Sequence, residues 1–198
     1  MAALCNLRTA LLTGLAITLL GAFYIYQSPV PLEFSVPHST SNNGVPGLNI
    51  SLNQTSQNPP TLVVTLENNH PDTPYTVLKW GTPIDPFALD TAVFSIVDDA
   101  SHNVVQQTMV HVNRKVPPPS TQLVTLAPGT QEEIEVVFNK PWMPDRKPAK
   151  YKVSAKGVFK GGWAKYGNEV EKTDLYAYAD SPFSGRRFVT NEIVMEVH

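Results

Sequence analysis

Five histidines, His38, His70, His102, His111 and His198, are the side chains of this chain best suited to hold a metal, and their spacing does not suit it. Zinc sites place two histidines at His-x-His or on one helix face as His-Glu-x-x-His, or complete the set with cysteines. Neither pattern occurs, and the single cysteine, Cys5, is far from all five. The expectation is no metal. Asp85, Asp90, Asp98 and Asp99 surround one strand and raise calcium as an alternative. A calcium loop of the Asp-x-Asp-x-Asp-Gly kind is missing, and aspartates between strands cap turns, so they read as turn residues. No Gly-x-Ser-x-Gly elbow, phosphate-cradling glycine loop with lysine, or framed carboxylate pair is present. The chain nominates no nucleophile and no cofactor, and the expected class is non-enzymatic.

Two other patterns carry chemistry done to the protein. Asn49-Ile50-Ser51 and Asn53-Gln54-Thr55 are N-glycosylation sequons, which place Asn49 and Asn53 as acceptors if the body enters the secretory pathway. Arg186-Arg187, after Ser184-Gly185, is a dibasic pair of the type secretory endoproteases cut. Both depend on compartment, and the amino terminus addresses that. Arg8 is followed by an uncharged apolar stretch from Thr9 to Tyr26, the next basic residue is Lys79, and the first acid is Glu33. A positive amino-terminal flank sends the following chain across a membrane. The stretch lies between a cleavable signal, with an apolar region of about 7 to 15 residues, and a spanning helix of about 17 to 25. Residues 1–27 are therefore a signal peptide or a signal anchor. Cleavage after Ala22 gives a secreted protein. Retention of residues 9–26, with Phe23, Tyr24 and Tyr26 at the headgroup level, gives a single-pass membrane protein with its carboxy-terminal body outside. Cys5 could carry a palmitoyl group beside such a helix.

Composition bounds the body. Beyond Tyr26 the chain has 14 basic and 17 acidic residues and no cysteine. No basic patch marks a nucleic-acid partner, and no disulfide is available, so packing must stabilise the fold. Residues 28–47, with prolines at 29, 31, 37 and 46 among serines and asparagines, have a linker's composition. From Leu48 to His198 the pattern is period-2 alternation. Candidate strands are Leu48 to Leu52, Leu62 to Leu66, Tyr75 to Trp80, Ala92 to Val97, Val104 to Val112, Gln122 to Leu126, Glu133 to Phe138, Tyr151 to Phe159 and Arg187 to Val197. Turn chemistry closes them, including Asn68 to Pro71, Asp98-Asp99, Pro117 to Pro119, Ala127 to Gly129 and Gly161-Gly162. Eight or nine strands at this spacing predict an all-β chain: an immunoglobulin-like antiparallel β-sandwich preceded by an amino-terminal apolar helix.

The runs Leu62 to Asn69, Tyr75 to Pro83, Val93 to Ile96, Val110 to Pro119, Leu126 to Thr130 and Ile134 to Phe138 resemble the amino-terminal pro-region of fungal deuterolysin-type and peptidyl-lysine metalloendopeptidases. The resemblance covers about Ile50 to Val197. It rests on strand-and-turn patterns, and the family's His-Glu-x-x-His catalytic domain has no counterpart in these 198 residues. It implies a stand-alone relative of a folding or inhibitory pro-domain, with a metalloendopeptidase as protein partner and no transfer of activity.

A sandwich offers partners its strand edges and end loops. The loops Lys79 to Asp90 and Pro141 to Lys147 carry Trp80, Phe87, Trp142 and Met143 as candidate anchors. Two functions follow. One is a secretory-pathway or cell-surface protein-binding module, inhibitor-like or folding-assistant-like toward a metalloendopeptidase. The other is a membrane-tethered structural protein whose aromatic loops, Trp142 first, contact glycans.

Overall fold

The structure is a computed structural model and describes residues 44–198. The apolar stretch of residues 9–26, the signal or anchor over residues 1–27 and most of the linker lie outside the described residues. Among the described residues no helix is long and apolar enough to cross a membrane.

Alternation builds the first sheet. In β1 (Leu48–Gln57) Ile50 and Leu52 are buried, whereas Asn49 and Asn53 are exposed. A tight turn at Asn58-Pro59 returns the chain into β2 (Pro60–Asn68), antiparallel to β1 with Leu52 opposite Val64. Leu62, Val64 and Leu66 face inward, and β6 (Gln131–Val137) pairs on the other side of β2. The sheet order is β1-β2-β6.

The second sheet is centred on β7 (Ala149–Val158), whose Tyr151, Val153 and Ala155 are buried while Lys150 and Lys156 are exposed. Its flanks are β4 (Phe94–Asp98) and β10 (Ile193–Val197), and β9 (Arg187–Val189) adds to the far end of β7. The inward residues of both sheets form one apolar core, in which Leu62, Val64 and Leu66 meet Phe94, Ile96, Val153 and Met195. This is a β-sandwich-like arrangement of antiparallel sheets. The core reaches back to Val45.

A third small sheet orders β5-β3-β8, from β5 (Leu123–Leu126), β3 (Tyr75–Leu78) and β8 (Gly162–Trp163). All four residues of β3 are buried, because both its faces are covered. Tyr75 and Val77 face the common core; Thr76 and Leu78 face the excursion that follows β8. There Thr76 donates its hydroxyl to the Lys165 carbonyl (2.9 Å), and Trp80 meets Tyr178 edge to face. The excursion holds one short α-helix, α1 (Lys172–Tyr176), between single turns of 3-10 helix at Gly167–Glu169 and Tyr178–Asp180.

Three expected elements differ. Val104 to Val112 forms no strand: beyond one bridge, Val97 to Val104, only the Val105 amide (to the Ile96 carbonyl, 2.9 Å) and the Gln107 side chain (to the Phe94 carbonyl, 2.8 Å) still hold to β4 among the described residues. Polar ties farther along draw it away, described below. Arg187 to Val197 is two strands, because Thr190 and Asn191 turn aside to brace the sandwich. The Thr190 hydroxyl accepts from the Ala155 amide (2.9 Å), and the Asn191 amide group both accepts from Leu52 N–H (2.7 Å) and donates to its carbonyl (3.0 Å). Gln54 does the same for Glu196, at 2.6 and 2.8 Å. These side-chain amides stand in for a neighbouring strand, so the outer edge of β1 is partly closed rather than free. Finally, Gly161-Gly162, expected as a turn, enters β8. A Cβ on Gly162 would lie 2.6 Å from Phe183 and 3.1 Å from the Thr76 carbonyl, so only glycine admits the close approach.

Candidate functional site

The loop from Lys79 to Thr91 is a chain of tight turns. Thr82 returns both its amide and its hydroxyl to the Lys79 carbonyl (3.1 and 2.6 Å), and Asp85 and Ala88 each bond back three residues. Gly81 takes the left-handed conformation that the first turn requires, with φ of 69°. The loop buries Ile84, Ala88 and Leu89 against the core, which fixes the polar groups between them.

At its centre the Asp85 side chain is wholly buried. Its Oδ2 accepts from Gly81 N–H (2.9 Å) and its Oδ1 from Phe87 N–H (3.0 Å). Arg114 completes the set with a forked contact, Nη2 to Oδ2 at 2.6 Å and Nη1 to Oδ1 at 3.2 Å. The guanidinium also lies 5.5 Å from the centroid of the Trp80 ring and 5.2 Å from that of Phe87. A buried charge is tolerated when its partner and hydrogen bonds are all in place, as here. Trp80 is fixed in turn by its Nε1–H, which donates to Gln122 Oε1 (3.0 Å).

Arg114 belongs to a segment that crosses this loop as a strap. From Gln106 to Val116 the Val110 amide alone donates to backbone, to the Asp90 carbonyl (2.8 Å), among the described residues. Asp90 also pairs with Lys140 (2.6 Å), which joins the β6–β7 connection to the same loop. These ties hold the strap over the loop beyond Gln107, whose side chain still donates to the Phe94 carbonyl of β4 (2.8 Å). The strap leaves Met109 71% exposed, Val110 55% and Val116 48%, beside Phe87 at 42% and Val104 at 59%. Four of the ten large apolar side chains exposed among the described residues therefore lie on the strap and the loop, with Val104 just upstream of the strap. No acid occurs between Asp99 and Glu132, so the strap's ionisable side chains are His111, Arg114 and Lys115.

The expected anchors divide. Trp80 is buried, 5% exposed, as part of the Arg114 cage rather than as a contact. Phe87 keeps an exposed face. Trp142 and Met143 are half-buried and pack against the core, so they are corner packing. Arg114, Met109 and Val110 were not expected from the sequence; the available signal was an acid-free, apolar run with one arginine downstream of an aromatic-aspartate loop. Asn49 and Asn53 are exposed on β1. Arg186 is held in a turn, its amide donating to Phe183 and its Nε to Pro182 (both 3.1 Å), and Arg187 is in β9 opposite Val158.

Catalytic geometry is sparse. A cavity of about 380 Å³ beside Trp163 contains Ser181, Asp180 and the Lys165–Asp174 ion pair (2.6 Å). The Ser181 hydroxyl donates to the Tyr178 carbonyl (2.6 Å), and no histidine lines the cavity to serve as its base. Lys165 holds the Asp174 carboxyl below the ordinary carboxylate range by hydrogen bonding. Among the described residues no group of three or more histidine, cysteine or acidic side chains could hold a metal.

Paired antiparallel sheets around one core and end loops braced by side chains define a β-sandwich class of domain. Residues 47–197 match the family model for an immunoglobulin-like domain, and the chain belongs to that family. It is similar to an uncharacterized secreted protein of Arthroderma benhamiae (strain ATCC MYA-4681 / CBS 112371), 31% identical over 137 residues that cover 68% of each chain. The match supports the immunoglobulin-like architecture and does not extend to a metalloendopeptidase pro-region.

Proposed function

We propose that this domain is a non-enzymatic, protein-binding module of the secretory pathway that docks through its strap and the adjoining loop. The observation that carries the reading is the gathering of Met109, Val110, Val116 and Phe87 at the surface over a rigid, buried Asp85–Arg114 base. Exposed apolar side chains on a preorganised frame are what a protein partner covers, and the frame lowers the ordering cost of binding. The secreted relative supports export, and export makes Asn49 and Asn53 accessible to glycosylation. Both asparagines lie on the β1-β2-β6 sheet.

The resemblance to metalloendopeptidase pro-regions makes such an enzyme the first partner to test. Titration of a deuterolysin-type metalloendopeptidase with the recovered protein should inhibit it or raise its refolding yield, and Met109→Glu should weaken the effect at least tenfold. An enzyme unaffected on both counts removes that partner. The glycan-contacting alternative needs Trp142 as its platform, and that ring is half-buried against the core.

A further inference from the structure

The strap combines a basic side chain with freed backbone in a way that the dibasic pair Arg186-Arg187 does not. An endopeptidase binds its substrate extended, pairing with backbone groups on both sides of the bond it cuts, so a cut in a folded protein needs several consecutive residues that are exposed and unpaired. Arg186 and Arg187 fail this requirement. The Arg186 amide and carbonyl are bonded to Phe183 and Phe159, Arg187 is paired in β9, and the next side chain, Phe188, is buried.

The strap comes nearer to it. Amides 111–116 have no protein partner among the described residues; the exposed run ends at Val116, where Pro117 to Pro119 follow with Pro118 buried, ahead of the single turn of 3-10 helix at Ser120–Gln122. Side chains alternate about Arg114: Asn113 and Lys115 are exposed, whereas Arg114 points back into its cage on Asp85. Lys115 is thus free to enter a protease's acidic specificity pocket, and Arg114 is not. The Arg146-Lys147 pair is the nearest competitor, but Arg146 pairs with Asp98 (3.6 Å), and β7 begins at Ala149.

We propose that the Lys115–Val116 bond is a processing site for a trypsin-like serine endopeptidase of the secreted compartment. Hydrolysis breaks the C–N bond; water supplies a hydroxyl to the Lys115 carbonyl carbon and a proton to the Val116 nitrogen. The product is a nicked domain whose two parts stay together. Strands β1 to β4 lie in one fragment and β5 to β10 in the other, and the pairs β2–β6, β3–β5 and β4–β7 cross between them. The cut opens the strap beside Met109 and Val110 and leaves Arg114 clamped.

Brief digestion of the recovered protein with trypsin, followed by amino-terminal sequencing, tests this. The first new amino terminus should be Val116, with both fragments co-eluting in native gel filtration and separating in denaturant. Lys115→Gln should slow the first cut at least tenfold, whereas Arg186→Gln with Arg187→Gln should leave it unchanged. A first new terminus at Lys147, Arg187 or Phe188 overturns the assignment. So does a first cut whose rate tracks global unfolding across a urea series, or a pair of fragments that part under native conditions.

Discussion

Replacing Asp85 by Ala tests the frame on which the exposed apolar residues sit. The substitution removes a carboxylate that is 0% exposed and accepts four hydrogen bonds, two from backbone amides and two from Arg114. Breaking a buried pair from one side costs about 3 to 5 kcal/mol. Arg114 is 20% exposed and gains some relief from solvent, which places the loss near the lower limit, about 3 kcal/mol. With a urea dependence of about 2 kcal/mol per molar, the midpoint should fall by about 1.5 M. Trp80 lies beneath the guanidinium, so tryptophan fluorescence can report the transition. Arg114→Met should cost a similar amount by leaving Asp85 with its two amide donors. The double variant should cost less than the sum, by about 2 kcal/mol, because neither charge is then left without its partner. A loss under about 1 kcal/mol for Asp85→Ala, or additivity within about 0.5 kcal/mol, would refute the reasoning.

Other outcomes follow from single contacts. Gly162→Ala forces a Cβ to within 2.6 Å of Phe183 and should lower stability by about 1 to 3 kcal/mol, read as a shift in thermal midpoint. Asn191→Ala removes both hydrogen bonds to Leu52 and should cost about 1 to 3 kcal/mol in urea unfolding. Burial raises the Tyr75 and Tyr151 phenols, and the Glu196 hydrogen bond raises Lys150. Their folded values lie above their unfolded ones, so their stability contribution is intact below about pH 10 and is lost as pH rises through the folded values. Glu196 and Asp98 are lowered, the first by its Lys150 hydrogen bond and the second by the Ser101 amide; their contribution is present above about pH 4 and is lost as pH falls through the lowered values. Urea unfolding across pH should therefore show a plateau that falls at both ends, and stability rising above pH 10 would contradict it. With the protein expressed through a eukaryotic secretory pathway, Asn49→Gln and Asn53→Gln should each remove one glycan's mass; an unmodified parent protein would show the sequons unused.

Alternation exposed most of the sandwich in the sequence because a half-buried strand must repeat every two residues. β2 and β7 keep that repeat almost throughout, with Leu62, Val64 and Leu66 and with Tyr151, Val153 and Ala155 inward. The same rule misled at Val104 to Val112, where Val110 and Val112 alternate but only Val104 and Val105 bond through their backbone to β4. What decides that segment is Arg114 reaching Asp85 across 29 positions, a contact that no local pattern encodes. The break at Thr190-Asn191 has the same origin, since its partners are Ala155 and Leu52. β8 was hidden because two adjacent glycines ordinarily signal a turn, and here they are required by Phe183 and the Tyr178 carbonyl. The candidate site was half legible: Phe87 is exposed as its loop suggested, while Trp80, Trp142 and Met143 went to packing because the excursion after β8 and the core cover them.

The docking role proposed for the strap is tested most directly by site-specific photo-crosslinking in a host that expresses the protein through its secretory pathway. A photoreactive residue replaces Met109, and a control replaces Val194, which is also exposed but lies on β10. The account predicts a discrete protein adduct from position 109 and none from position 194. No adduct from 109, or the same adduct from both positions, would contradict it.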